Sequence, residues 1–294
     1  MKLSVSTWIF GDEPFEHSAA RLARLGCDGV EVLGEPDRYT PAVIKEQCDR
    51  HGLAVYSVLA MATGDRDLAH PDRDVRAHGI SYLRSVLAFA SALGASIVST
   101  IPTAVLRTDP IGAGGVEVDW LHGYEQEWAL AVESVRDVAE EAEARGVTLA
   151  IEPINRYETY LVRTAEQARR FVADVGSSAV KIQLDTFHMN LEEADPAAAI
   201  RATGARLCNL HLADSNRRAV GDGCLDWASI LAALLEIDYR GPLTLEPVPA
   251  DPNVFLAVRM ARNQPLHDRD IEVSIDHLRR LLGGATAHPP AAAV

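Results

Sequence analysis

The sequence has few cysteines, and their spacing is not that of a thiolate metal site. Its four cysteines, Cys27, Cys48, Cys208 and Cys224, form no C-x-x-C pair, whereas closely spaced pairs are typical of zinc sites. No apolar run approaches the ~20 residues of a membrane span. The N-terminal apolar stretch is too short, and too interrupted by hydroxyl side chains, for a signal peptide. We therefore expect a cytoplasmic protein with reduced thiols.

Positive charge is also scarce. The chain has 28 Lys and Arg against 42 Asp and Glu, which gives a formal net charge of −14. Nucleic acids are bound mainly through cationic surface, and no run rich in Lys or Arg is present. No G-x-G-x-x-G or G-x-x-x-x-G-K-[ST] motif stands where a nucleotide site would need it. The balance favours a small neutral substrate or a bound cation as partner, with no nucleic acid and no membrane.

The sequence does contain an alternation of short apolar runs and amphipathic stretches. The runs lie near residues 2–8, 28–33, 53–59, 95–101, 147–152, 180–185, 205–211 and 242–246. Strands that alternate with helical patterns indicate a parallel sheet with helical crossovers. Eight such units in 294 residues suit one (β/α)8 TIM barrel of ~250 residues. We predict a single catalytic domain over residues 1–282 and a flexible tail over 283–294; a doubly wound open sheet is the alternative.

Residues 102–123 stand apart from the otherwise short connections. They are rich in Gly and Pro, with Trp120 near their end, and long loops in compact domains are commonly functional lids. We predict a loop over the whole segment, followed by a helix over 125–145, and consider Trp120 a candidate lid contact.

Four potential metal ligands stand at successive strand ends. The endings are Ala150-Ile151-Glu152, Gln183-Leu184-Asp185, Asn209-Leu210-His211 and Leu245-Glu246. Active sites of TIM barrels lie at the carboxyl ends of the strands, so closure of the barrel would bring these side chains together. Three carboxylates and one imidazole are a hard donor set that favours Mn²⁺, Mg²⁺ or Co²⁺. Strand-end caps or ion pairs are the alternative interpretation for each residue alone.

The motifs around these residues resemble the D-tagatose 3-epimerase and D-psicose (allulose) 3-epimerase family, which belongs to the xylose-isomerase-like TIM barrels. The resemblance rests on three segments and Glu246: Glu152-Pro153-Ile154-Asn155-Arg156-Tyr157-Glu158, Asp185-Thr186-Phe187-His188-Met189-Asn190 and His211-x-x-Asp214-Ser215-Asn216-Arg217. It implies one divalent ion, most often Mn²⁺, bound by Glu152, Asp185, His211 and Glu246. It also implies that Glu158, His188 and Arg217 hold the O1–O3 end of a ketose, and that the protein is a homodimer or homotetramer.

The reaction that the resemblance implies is inversion at C3 of a free ketose. The proton beside the C2 carbonyl is removed and returned to the other face, which needs a stabilised enediolate and two bases. Glu152 and Glu246 take the paired acid/base role in the family mechanism. Trp8, at the end of the first strand, is interpreted either as a stacking wall for the sugar or as core.

Departures from the family pattern leave the sugar open. Val248 stands where these epimerases often have an aromatic residue, and residues 102–123 and 251–270 are distinctive. The alternatives are an aldose–ketose or hydroxypyruvate-type isomerase, a lyase or dehydratase acting on a 3-keto sugar or inosose, a metal-dependent endonuclease acting at abasic DNA, and a sugar-binding module.

Overall fold

The computed structural model describes residues 1–113, 116–251 and 253–286. Eight parallel strands form a closed barrel in the order β1 to β8, which confirms the predicted (β/α)8 fold. The strands are β1 (Lys2–Ser6), β2 (Gly29–Leu33), β3 (Ala54–Ala60), β4 (Ile97–Thr100), β5 (Thr148–Ile151), β6 (Val180–Asp185), β7 (Leu207–Leu212) and β8 (Pro242–Leu245). β1 pairs with β8, so the sheet closes and has no open edge.

Helices connect the strands and cover the outside of the barrel. They are α1 (Phe15–Arg24), α2 (Pro41–His51), α3 (Arg73–Leu93), α4 (Glu117–Arg145), α5 (Ala165–Val175), α6 (Thr186–Glu192), α7 (Pro196–Thr203), α8 (Trp227–Glu236), α9 (Val254–Ala257) and α10 (Gln264–Thr286). Among the described residues, no helix is long and apolar enough to cross a bilayer.

The strands divide the buried side chains between two environments. Alternate residues of a strand point to opposite faces. Leu184, Leu243 and their equivalents are fully buried in the apolar layer under the helices. The other face carries polar residues that bond to one another inside the barrel: Asn209 Nδ2 donates to Gln183 Oε1 at 2.6 Å, and Thr244 Oγ1 donates to Asn209 Oδ1 at 3.1 Å. These bonds connect the interior faces of β6, β7 and β8.

Helix α4 begins earlier than the sequence pattern indicates. It starts at Glu117, so the prediction of a loop through residue 123 is wrong for residues 117–123. Glu117 and Asp119 lie in the first turn, where acidic side chains favour the positive end of the helix dipole. Gly123 lies within the helix although glycine is typical of loops, and Pro110 packs against it: an added Cβ would lie 2.8 Å from Pro110 Cβ.

The last described helix is joined to the first helix by an ion pair. α10 runs to Thr286, and Arg24 of α1 bonds Asp268 of α10 at 2.6 Å. Residues 287–294, most of the predicted flexible tail, lie outside the described part of the chain.

Candidate active site

The four predicted metal ligands meet at the carboxyl end of the barrel. Glu152 and Glu246 directly follow β5 and β8, Asp185 is the last residue of β6, and His211 lies one residue before the end of β7. All four are buried. Consecutive strands lie ~4.8 Å apart in a sheet, so one ligand per strand end produces a compact cluster from residues far apart in sequence.

His211 is at the centre of this cluster. Its Nδ1 lies 3.7 Å from Glu152 Oε1 and 3.6 Å from Glu246 Oε1. Candidate donor atoms of Glu152, Asp185 and His211 all lie within 4.8 Å of one another. These four side chains could hold a single cation between them.

The charges of the cluster fit a divalent cation. Burial, together with the neighbouring carboxylates Asp185 and Glu246, raises the pKa of Glu152 to about 8. Burial and the charge of Glu246 raise the pKa of Asp185 to about 6. Burial alone would lower the pKa of His211, but the charges of Glu31 and Glu246 outweigh it, so that pKa lies well above its usual value. Carboxylates buried close together retain protons because their negative charges repel one another. A bound cation would neutralise these charges in place of the protons.

Asp185 has a second contact that fixes its orientation. It is the N-cap of α6, and its side chain accepts a hydrogen bond from Phe187 N at 2.7 Å. Aspartate is a favoured residue at this position. The strand-to-helix junction Asp185-Thr186-Phe187 therefore holds one carboxylate oxygen and leaves the other to the cluster.

The three predicted substrate contacts adjoin the cluster on one side. His188 Nε2 lies 3.7 Å from Asp185 Oδ2. Arg217 lies 3.4 Å from Glu158 Oε1 and 3.8 Å from Glu246 Oε2. Burial lowers the pKa of His188 well below its usual value, and the charge of Arg217 adds to that effect. The neutral imidazole of His188, the guanidinium of Arg217 and the carboxylates of Glu158 and Glu246 thus offer both donors and acceptors to vicinal hydroxyls.

Arg217 is held in a backbone conformation that side chains seldom adopt. Its φ is +60°, in the left-handed region that is uncommon for residues other than glycine. Its N–H donates to Asp214 O at 2.8 Å, and its carbonyl accepts from Val248 N at 2.7 Å. The buried Asp214 accepts bonds from Gly221 N and, at 2.7 Å, from Trp227 Nε1. These contacts stabilise the turn that directs the guanidinium toward the site.

Asn155 is a further site residue, for which the resemblance to the family implies no role. Its side-chain amide nitrogen lies 2.8 Å from His188 Nδ1 and donates to Glu158 Oε1 at 2.9 Å. It therefore joins two of the predicted substrate contacts. Its position three residues after Glu152 in the quoted motif is the signal that could have identified it.

A cavity opens beside the cluster, lined by side chains from both halves of the barrel. Its polar lining is Glu152, Glu158, His188, Arg217 and Glu246. Its apolar lining is Trp8, Leu59, Met61, Ile101, Val105, Ile154, Val254 and Phe255. Pockets for small ligands commonly combine a mostly apolar wall with a few convergent polar groups, and this cavity has that composition.

The two tryptophans predicted near the substrate are placed differently. Trp8 lines the cavity and contacts Phe255 edge-on, with ring centroids 6.1 Å apart. Trp120 is not among the residues that line this cavity. It stacks on Tyr124 at 5.5 Å and donates to Asp109 Oδ1 at 3.1 Å. Trp120 lies in α4, and its hydrogen bond to Asp109 joins this helix to the preceding loop.

Comparison with known proteins identifies the family. The model of the xylose isomerase-like TIM barrel family matches residues 19–280, and the chain belongs to that family. It is an enzyme of the isomerase class, as the following relatives indicate.

The chain is 30% identical to a D-psicose 3-epimerase of Ruminiclostridium cellulolyticum over 91% of this chain and 92% of the relative. It is 35% identical to an L-ribulose 3-epimerase of Mesorhizobium japonicum over 79% of this chain and 74% of the relative. A crystal structure of D-psicose 3-epimerase with D-tagatose from Clostridium cellulolyticum superposes with a TM-score of 0.83 at 29% identity, covering 96% of this chain and 99% of that one. The resemblance to ketose 3-epimerases is confirmed.

Proposed function

We propose that this enzyme inverts the configuration at C3 of a free, unphosphorylated ketose. The observation that carries the proposal is that Glu152 and Glu246 line one cavity with Glu158, His188 and Arg217. Two carboxylates from strand ends three units apart supply the two bases that proton removal and return require. Each adjoins the same imidazole nitrogen, at 3.7 Å and 3.6 Å.

The residues have distinct roles in this proposal. Glu152 and Glu246 exchange the C3 proton, and both join Asp185 and His211 as ligands of one divalent ion, Mn²⁺ in preference to Mg²⁺ or Co²⁺. When bound, that ion supplies positive charge to the oxygens of the enediolate. Glu158, His188 and Arg217 bind the O1–O3 end, and Trp8 forms part of the wall around the remaining carbons.

The charge of the cavity supports an uncharged sugar as the substrate. Among the described residues, Arg217 is the one cationic side chain in the lining, and it faces Glu158 and Glu246. Apart from Glu152 and His188, the remaining lining is apolar. Sites for phosphate monoesters use Arg or Lys clusters or helix N-termini, and the lining of this cavity offers no such cluster. A homodimeric or homotetrameric assembly and a cytoplasmic location stay predictions from the sequence.

The test is isotope exchange in D₂O with Mn²⁺ and D-fructose, D-tagatose or L-ribulose. We expect deuterium at C3 and the appearance of the C3 epimer, both detected by NMR. Label at C1 or C2 would identify an aldose–ketose isomerase, and loss of a hydroxyl would identify a lyase or dehydratase. Absence of C3 label from all three ketoses would refute the proposal.

A further inference from the structure

Glu31 is a fully buried carboxylate next to the metal-ligand cluster. The pattern of strand-end residues does not indicate it, because it lies within a strand. It lies in the middle of β2, and its Oε1 is 3.0 Å from His211 Nε2. The two atoms are ion-pair neighbours, and neither has a hydrogen-bond partner elsewhere in the described chain. Buried polar atoms are rarely left without a partner. Glu31 Oε1 and His211 Nε2 are therefore the partners available to each other.

The other oxygen of Glu31 is anchored to neighbouring strands. Oε2 accepts from Ser57 Oγ at 2.7 Å and from Asn209 Nδ2 at 3.2 Å. Asn209 lies two residues before His211 on β7 and also donates to Gln183. Because Oε2 is occupied by two donors, the carboxylate is fixed with Oε1 toward the imidazole.

The strand pairing is irregular at this layer. The register between β2 and β3 shifts at Val30/Glu31, and the register between β6 and β7 shifts at Ile182/Gln183. Such irregularities redirect side chains and are frequent beside active sites. Both shifts adjoin residues that contact His211, since Gln183 Nε2 lies 3.4 Å from His211 Nδ1.

The two edges of the imidazole face different partners. Nδ1 faces the carboxylates of Glu152 and Glu246, and Nε2 faces Glu31. A cation binds only the neutral form of an imidazole, in which one nitrogen carries hydrogen and the other a lone pair. A carboxylate at Nε2 selects the tautomer that carries hydrogen there, which leaves the Nδ1 lone pair toward the cluster. The amide N–H₂ of Gln183 near Nδ1 is compatible with the same tautomer.

We propose that Glu31 is a positioning residue that fixes the tautomer and ring orientation of His211 and thereby sets the cation affinity of the site. The inference rests on the proposed function, in which His211 binds the ion. Donor atoms of Glu31, His211 and Glu246 also lie within 4.8 Å of one another. Because Oε2 of Glu31 accepts from Ser57 and Asn209 and Oε1 faces His211 Nε2, we infer that Glu31 acts through His211. Carboxylates that hold the second nitrogen of a ligating histidine commonly change metal affinity by about 10–100-fold when they are replaced.

The test measures Mn²⁺ binding directly, by titration calorimetry on metal-free protein, for the wild type and for Glu31→Gln. Gln keeps the size of the side chain and can still accept from Ser57, but it is neutral. We expect the Kd for Mn²⁺ to rise by about 10–100-fold. The matched control is Glu127→Gln, another buried carboxylate, which bonds Arg107 and Tyr160 away from the cluster. It should destabilise the fold without changing the Kd.

The outcomes separate this inference from the proposed function. A wild-type protein that binds Mn²⁺ and a Glu31→Gln variant with the same Kd would overturn the inference alone. A wild type that binds no divalent cation would overturn both. If Glu31→Gln does not fold, Ser57→Ala removes one of the bonds that hold the carboxylate. A Kd raised two- to fivefold would then support the inference, and an unchanged Kd would overturn it.

Discussion

The apolar wall of the cavity predicts that removing a distal hydroxyl from the sugar improves turnover. In the proposed binding mode the polar side holds O1–O3, and we expect the C6 end of a ketohexose to lie toward the apolar lining, which includes Met61, Val105 and Phe255. These side chains cannot accept or donate a hydrogen bond to a C6 hydroxyl. 6-Deoxy-D-tagatose differs from D-tagatose by that hydroxyl alone, so the two sugars isolate its contribution.

The magnitude follows from the cost of burying a hydroxyl without a partner. That cost is about 1–3 kcal/mol in proteins, which corresponds to about 5- to 150-fold at 1.4 kcal/mol per factor of ten. We expect kcat/KM for the 6-deoxy sugar to exceed that for D-tagatose by a factor in this range. The assay is initial-rate C3 epimerisation followed by NMR or chromatography at matched sugar concentrations.

A single-atom change in the wall provides the control. Val105→Thr keeps the shape of the side chain and adds a hydroxyl at the cavity, so it should narrow the ratio by improving D-tagatose. A ratio of one or below in the wild type would refute the reasoning, even if both sugars were epimerised at C3. The substrate orientation would then be wrong, while the proton chemistry would stand.

Three further predictions concern catalysis and stability. Arg217→Lys should lower kcat/KM by about 10–100-fold, because one ammonium cannot reproduce the planar guanidinium fork between Glu158 and Glu246; wild-type kinetics in this variant would contradict that role. Glu127→Ala should lower the free energy of unfolding in urea by about 1–3 kcal/mol, since it leaves the buried Tyr160 hydroxyl without its acceptor while Arg107 keeps its ion pair with the buried Asp67; an unchanged free energy of unfolding would contradict it. Burial lowers the pKa of His267 to about 4, so the unfolded state binds the extra proton as pH falls below the ordinary value of about 6.5, and stability decreases from there down to pH 4. Between pH 7 and pH 5 this costs about 2 kcal/mol, a loss that His267→Leu should remove in paired urea titrations; an equal loss in both proteins would exclude His267 as its source.

The sequence predicts those parts of the site that depend on the period of the barrel. Glu152, Asp185, His211 and Glu246 each stand at the end of an apolar strand pattern, and closure of the barrel brings such ends together regardless of detail. The same logic predicts the interior face of β6 and β8, because alternation along a strand is fixed by backbone geometry.

Contacts that depend on tertiary packing could not be predicted in this way. Glu31 lies mid-strand and is directed toward His211 from another part of the barrel, where the pairing register shifts. The start of α4 was missed because Gly123 indicates a turn locally, whereas its packing against Pro110 is a contact of the folded chain. The prediction of Trp120 as a lid contact has the same origin, because it takes residues 102–123 as one loop.

The cavity draws its two kinds of lining from different stretches of the chain. All five polar groups come from residues 152–246, whereas five of the eight apolar residues precede position 106. Saturation mutagenesis of Leu59, Met61, Ile101 and Val105 could therefore retune sugar preference while every proton-transfer group stays untouched. The ends of β3 and β4 are therefore the natural target for directed evolution of new ketose selectivity.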